Sequence, residues 1–520
     1  MKKNNFLESM EKVLNEDYNN SVTENGALGY RTTGYEILDF NFKVSSYRNE
    51  SADVIINDFM KVFYEDKLTA MKFLFFIRDR EEGLGERRLF RIILKHLANT
   101  ETEIIKAICP LIAEYGRYDD LLELFDTPLE DYIIMDVLGN QIRTDSINYS
   151  KKKPVSLLAK WMPSINASSK TQKDRAKKII KKSAIKEKEY RKLLSILRKH
   201  IDVTERKMCA NEWGKIKYEN VPSRANLNYN GAFLKHDEER RRKFLEQVQK
   251  GEKTIHAGKL YPHDIVHKYM SSEGWYGYSR ALNHFDTTLE QLWKALPQKE
   301  IANTLVVADG SGSMTSTIGK TNVTCLDVAN ALAIYFAEHN KGEFYNQYIT
   351  FSERPQLVKF NNNDSLHDKI VKCLLHSEVA NTNIEAVFDL ILDTAIQNNM
   401  SQDDMPKNIL IISDMEFDNC VECNGIRRSP TKKLFNEFKK RYKDNGYKLP
   451  KLIFWDVCSR TGTIPLKEND LGVALVSGFS TNIADMVMND KLDPLEILLD
   501  KVNSKRYEKV EENLKNVLNL

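Results

Sequence analysis

The stretch Thr304-Leu305-Val306-Val307-Ala308-Asp309-Gly310-Ser311-Gly312-Ser313 decides the fold. A short apolar run that ends at an acidic residue and a serine–glycine turn reads as a buried parallel strand delivering a loop. Downstream the pattern alternates. Helical periodicity covers 323–338, strand-like residues cover 344–351, and a helix is expected over 384–397. A second short apolar strand, 408–413, ends at Asp414; a helix over 430–444 and strands over 451–457 and 473–477 follow. Strands alternating with helices predict an α/β fold, a doubly wound, mostly parallel, Rossmann-like sheet covered on both faces.

Upstream of residue 300 the grammar is helical, with apolar residues three and four apart. Leu89, Ile92, Ile93 and Leu97 make one buried stripe, after Gly83 and Gly85 have broken the preceding helix. Ile104, Ile105, Ile108 and Ile112 make the next, with Pro110 expected to kink or shorten it. Further helices are expected over 128–142, 169–183, 186–200, 204–215, 237–250 and 261–271, with Ser168 or Ser169 capping the one that begins at 169. Many short helices in series predict an α-helical repeat domain, a HEAT-like ring or solenoid. The chain is thus read as multidomain. An N-terminal segment spans 1–48, the helical domain 49–299, the α/β domain 300–490 and a C-terminal helical segment 491–520.

The 520 residues are 42% hydrophobic and 29% charged, ordinary for a globular protein with more than one core. The longest apolar run, 331–337, falls far short of the ~20 residues of a membrane helix. The polar start, without a secretory apolar segment, and seven irregularly spaced cysteines point to a cytoplasmic protein without a disulfide framework. The net charge of +3 hides an asymmetry. Residues 151–259 hold 30 Lys/Arg against 12 Asp/Glu, a net of +18, while the rest of the chain stands at −15. Such a block is the footprint of a polyanion partner; solvated helix faces are the plainer alternative.

Asp309 offers a carboxylate, and Ser311 and Ser313 offer hydroxyls two residues apart on one turn. Hard cations take such oxygen donors, and the loop lies where α/β sheets bind ligands, outside the carboxyl ends of the strands. Asp414, ending another strand, is placed to complete the set, with Thr382 before the next helix as the fifth member. These residues resemble the Asp-x-Ser-x-Ser…Thr…Asp pattern of von Willebrand factor A domains. The resemblance implies a metal-ion-dependent adhesion site of Asp309, Ser311, Ser313, Thr382 and Asp414 holding a divalent cation, Mg²⁺ first and Mn²⁺ or Ca²⁺ as alternatives. An acidic group on a protein partner would complete the coordination. The loop 379–383 departs from the family in lacking its usual glycines. A phosphate-loop reading fails, since six residues separate Gly312 from Gly319 where four are required. Glu416 and Asp418 read as acidic rim residues, with a second-metal, nuclease or phosphatase role as the alternative. Cys420 and Cys423 have metal-ligand spacing but no second pair in register. No nucleophile with an activating base can be placed, so no enzyme is expected.

The helical half carries Phe76-Ile77-Arg78-Asp79, Gly83-Leu84-Gly85-Glu86-Arg87-Arg88, Gly116-Arg117-Tyr118-Asp119-Asp120, Lys160-Trp161-Met162-Pro163-Ser164, Val221-Pro222-Ser223-Arg224 and Leu260-Tyr261-Pro262-His263. In this order the motifs resemble a TROVE-related family of plants, microbes and large viruses that is similar to the Ro autoantigen ribonucleoproteins. The resemblance implies a ring of helical hairpins joined to the A-type domain and holding small non-coding or misfolded RNA. The charge count reaches the polyanion on its own. The best phosphate contacts are Lys170, Lys173, Lys177 and Lys181, spaced three to four apart on one helix. Arg191, Lys192, Arg198, Lys199, Arg240, Arg241, Arg242 and Lys243 come next. Trp161, Trp213 and Tyr218 read as core aromatics, with base stacking as the alternative, and Arg117, Asp119 and Asp120 as an ion-pair network at a helix start. Two rival readings remain: a metal-dependent protein scaffold that binds no RNA, and a metal-dependent nuclease or phosphatase built on Asp309, Asp414 and Glu416.

Overall fold

The computed structural model describes residues 18–270, 284–301, 303–351, 354–376, 384–418, 433–487 and 491–519, with a few isolated positions besides. The chain folds into two compact units that cross the boundaries drawn from the sequence. Residues 1–51 join 260–501 in an α/β unit, and 502–520 join 52–259 in a helical unit.

In the α/β unit a small antiparallel hairpin, β1 (Asn20–Val22) and β2 (Leu28–Tyr30), precedes the sheet. The six strands of the sheet are β3 (Thr304–Asp309), β4 (Gln347–Phe351), β5 (Leu357–Lys359), β6 (Asn408–Ser413), β7 (Lys451–Asp456) and β8 (Val473–Ser477). Their spatial order is β8-β7-β6-β3-β4-β5. All neighbours are parallel except β5, which runs antiparallel to β4 at the edge. The residues of β3, β7 and β8 are buried throughout, because helices cover both faces and leave no side of the strand for water. The Cys325–His339 helix, capped reciprocally by Thr324 and Asp327, is buried almost all round, which accounts for the longest apolar run in the sequence. Against it lies the Pro262–Met270 helix, burying Ile265, Val266, Tyr269 and Met270, with His267 Nδ1 2.7 Å from Asp327 Oδ2. These apolar contacts draw residues 260–299 into this unit. The first fifty residues join it for a similar reason: the Glu36–Phe42 helix packs on β8 and buries Ile37, Leu38, Phe40 and Phe42.

In the helical unit, Lys67–Arg78, Arg87–Thr100 and Thr102–Ile108 pack on one another, and the C-terminal Glu508–Leu518 helix packs on the first and third of these. Lys72 reaches Glu511 at 2.6 Å, and Arg506 reaches Asp79 at 2.9 Å. The second contact closes a non-local pairing that no local pattern announces. Pro110 interrupts the α-helix with a 3₁₀ turn at Cys109–Leu111. Ser169 caps the Lys170–Lys182 helix, and Glu187–His200, Glu238–Gln249 and the expected strands fall within a few residues of their sequence windows. Three readings change. The 204–215 window holds only a short helix, Thr204–Cys209, and a 3₁₀ turn. The strand expected from 344 starts at 347, after a 3₁₀ turn. The helix expected over 128–142 begins with an α turn at Glu130–Tyr132, widens into a π segment at Ile133–Leu138 and continues to Ser150. Among the described residues no helix is long and apolar enough to cross a membrane.

Candidate functional site

The sheet order reverses between β3 and β6, so the loops leaving these two strands diverge and open a crevice at their carboxyl ends. Asp309 closes β3 and Asp414 follows β6, and both carboxylates are buried, 3% and 0% exposed. Asp309 accepts the Ser311 N–H at 2.9 Å and the Ser413 hydroxyl at 2.6 Å. The Ser311 and Ser313 hydroxyls lie 2.9 Å apart, and Ser313 hydrogen-bonds Asp414. The structure therefore brings together Asp309, Ser311, Ser313 and Asp414. Thr382, and with it Cys420 and Cys423, lies outside the described residues.

Burial, and then the charge of Asp414, push the Asp309 carboxyl up to about 7. Burial raises Asp414 as well, against the opposing pull of Arg460. Two carboxylates driven toward neutrality by desolvation and mutual repulsion are relieved by a cation between them. The donors are carboxylates and hydroxyls with no sulfur or imidazole, which suits Mg²⁺ or Mn²⁺ and not a thiophilic metal. Among the described residues no group of three His, Cys, Asp or Glu forms a metal cage, so a cation here relies on the hydroxyls and on water. Four residues of the sequence set fit a hard divalent ion.

Glu416 is no rim residue. It is 2% exposed, and its carboxylate accepts the backbone N–H groups of Glu24, Arg460 and Thr461 and the hydroxyls of Ser459 and Thr461, at 2.8–3.1 Å. With both oxygens occupied, it ties the loop after β7 to the tip of the β1–β2 hairpin. Sequence reasoning missed Ser413, Arg460 and Glu24 here. Arg460 donates from Nη1 to Asp414 Oδ2 at 3.1 Å and pairs with Glu24. The signal for Arg460 was available, since it lies in the loop at the carboxyl end of β7, where this fold gathers its ligands.

The basic block of the helical unit is sorted by burial. On the 170–182 helix one face is neutralised: Arg175 pairs with Glu123 at 3.2 Å, Lys178 with Glu130 at 2.8 Å and with Asp126, and Lys182 with Glu130 at 3.1 Å and with Asp131. Against its own desolvation, hydrogen bonds from Lys178, the Asp126 N–H and Lys182 hold Glu130 down at about 2. Lys170, Lys177 and Lys181 are exposed and Lys173 half-buried on the other face, with no ion-pair partner among the described residues. Arg191, Lys192, Lys199, Arg242 and Lys243 are exposed as well, Arg242 pairing with Glu238 one turn away.

Three arginines in the sequence set do structural work. Arg241 is a correction: it is fully buried, donates to Asn226 Oδ1 at 3.1 Å and Asn230 Oδ1 at 3.3 Å, and sits against the faces of Tyr218, Phe233 and Phe244. No phosphate reaches it. Its spacing from Phe244 and Leu245, three and four residues on, was the sequence signal for an inward side chain. Arg198 is half-buried and donates to the carbonyls of Ala159 and Met162 and to the Ser164 hydroxyl, at 2.7–2.8 Å. Arg240 pins the carbonyls of Trp213 and Ile216. Tyr218 is buried with its hydroxyl on Asp237, Trp213 stacks on His236, and Trp161 lies under Arg117. Asp120, fully buried, receives Arg78 at 2.8 Å, Arg91 at 2.6 Å and the Arg117 N–H, an ion-pair network at the start of a helix.

Two domains of unknown function match the chain, DUF2828 over residues 166–303 and DUF7788 over residues 303–519. The uncharacterized protein L728 of Acanthamoeba polyphaga mimivirus is 29% identical over 528 residues, which cover 92% of this chain and 87% of the viral one. Among solved structures, that of the Deinococcus radiodurans RO (RSR) protein is similar over 88% of this chain and 92% of its own, at 12% identity and a TM-score of 0.39. The chain is thus similar to the DUF2828 model over one stretch and to the DUF7788 model over the next, and over nearly its whole length it is similar to a mimivirus protein.

Proposed function

We propose that the protein binds RNA on its helical unit, without catalysis, and that its α/β unit holds a divalent cation through Asp309, Ser311, Ser313 and Asp414. One observation carries the RNA reading. The 170–182 helix spends Arg175, Lys178 and Lys182 on local carboxylates, yet leaves Lys170, Lys173, Lys177 and Lys181 without an ion pair among the described residues, with Asp174 the one carboxylate of the helix beside them. A phosphate backbone would supply anions for these exposed lysines. RNA held by shape and single-stranded segments suits such a face. The saturated Glu416 carboxylate favours binding over hydrolysis, because it has no lone pair left for a second metal or a water. At the cation, the open positions would take an acidic group of a partner.

Two variants test the division of labour. Charge reversal at Lys170, Lys177 and Lys181 lowers RNA affinity at least tenfold and leaves Mg²⁺ binding by calorimetry unchanged. Asp309→Ala abolishes Mg²⁺ binding and leaves RNA affinity within about twofold of wild type. Loss of both functions in either variant contradicts the proposal.

A further inference from the structure

Between the Glu187–His200 helix and the loop at 164–166 lies an open groove of about 920 Å³. Its walls hold five cationic side chains, Lys188, Arg191, Lys192, Arg198 and Arg206, against one carboxylate, Glu187. The walls are braced. Tyr190, on the helix, donates its hydroxyl to the Pro163 carbonyl at 2.7 Å, and Arg198 ties the same helix to Met162 and Ser164. Lys188, Arg191 and Lys192 are exposed with no ion-pair partner among the described residues. Arg206 also lines the groove, with its guanidinium 3.9 Å from Glu212. Ile165 and Leu194 give the groove an apolar side.

We infer that this groove seats a single-stranded RNA segment. It rests on the RNA reading above and narrows it to a place. Lys188, Arg191 and Lys192 neutralise successive phosphates, Arg206 adds positive charge to the wall, and a base lies against Ile165 and Leu194. The volume is that of a site for one drug-sized ligand, about 300–1,000 Å³, so it admits one nucleotide with its flanking phosphates. Arg198 acts here as a positioning residue that braces the wall.

The test uses the full chain, a fluorescein-labelled 12-mer of uridine and a 12-base-pair RNA duplex, with anisotropy followed from 50 to 300 mM salt. Lys188→Ala/Arg191→Ala/Lys192→Ala is expected to weaken the single strand at least tenfold and to flatten its log–log salt slope by about 2, at ~0.7 per phosphate contact. It should leave the duplex within twofold. Arg206→Lys, which keeps the charge, is expected to leave the single strand within about twofold and the slope unchanged. These three exposed side chains leave the fold intact, which the melting temperature verifies. Equal losses for single strand and duplex, or stronger competition by polyglutamate than by the 12-mer, overturn the groove assignment. If the groove variants bind as wild type while reversal of Lys170, Lys177 and Lys181 abolishes binding, the groove falls and the RNA reading stands. If the wild-type chain binds neither RNA, both fall.

Discussion

Replacing Asp456 with asparagine should stabilise the α/β unit, and more so as pH rises. Asp456 ends β7 fully buried. Its Oδ1 accepts the N–H groups of Cys458 at 2.9 Å and Ser459 at 2.7 Å, and its Oδ2 faces the hydroxyls of Ser45 at 2.8 Å and Ser477 at 3.4 Å. Burial pushes the carboxyl up to about 7. The unfolded chain ionises it near 4, so the fold holds a proton that the unfolded chain gives up. The contribution is complete below pH 4, declines as pH rises and is lost by pH 7, above which it is constant. At about 1.4 kcal/mol per pH unit, wild type loses about 3 kcal/mol from this group between pH 5 and pH 8. Asparagine offers the same two ends as the protonated carboxyl: its oxygen keeps the two N–H groups, and its amide donates toward the Ser45 and Ser477 hydroxyls, which then turn their own protons away from it. A unit of about 290 residues unfolds with an entropy of roughly 0.6 kcal/mol per degree, so 3 kcal/mol is about 5 °C. Melting both proteins at pH 5 and pH 8 by calorimetry should show the advantage of the variant growing by about 5 °C, and taking the difference between proteins cancels the other titrating groups. An advantage that stays constant with pH refutes a buried carboxyl with a raised pKa at this position.

Arg241→Ala should cost the helical unit about 3 kcal/mol, from the orphaned Asn226 and Asn230 oxygens and the cavity among three rings, while RNA affinity of the folded fraction is unchanged. Denaturant unfolding and a binding titration on the same sample check both parts. Gly83→Ala should destabilise the same unit by about 1–3 kcal/mol, because a Cβ there would lie 2.1 Å from the Phe76 carbonyl oxygen, and backbone has to move to accept it. A variant with wild-type melting would mean the turn after the Lys67–Arg78 helix is looser than this contact requires.

The α/β half was legible in the sequence because most of the parallel strands, buried on both faces, are apolar runs, and two of those runs end at the carboxylates of the site. β5 was not legible: three residues at an edge, with only Val358 buried, leave too little pattern to separate from a loop. The neighbouring Leu366–Leu375 helix was missed although Ser365 and Asp368 form a capping box that the sequence displays. The composition of the two units could not be read at all. Ser45 on Asp456 and Glu24 on Arg460 join residues some four hundred positions apart through single polar contacts, which leave no periodicity behind. At the basic face, counting lysines and arginines identified the block but not the direction of each side chain. Arg241 turns inward because it shares a helix face with Phe244 and Leu245, while Lys188 stands between two glutamates and Arg206 lies on a six-residue helix, so neither shows in the sequence as part of a basic face.

The most direct test of the account is whether the chain, purified at low salt, carries nuclease-sensitive nucleic acid, and whether defined RNAs bind it with an affinity that falls as salt rises. The account predicts co-purifying RNA and a log–log slope of about −3 or steeper, the mark of four or more phosphates neutralised together. A protein free of RNA, with binding that is absent or indifferent to salt, would contradict it.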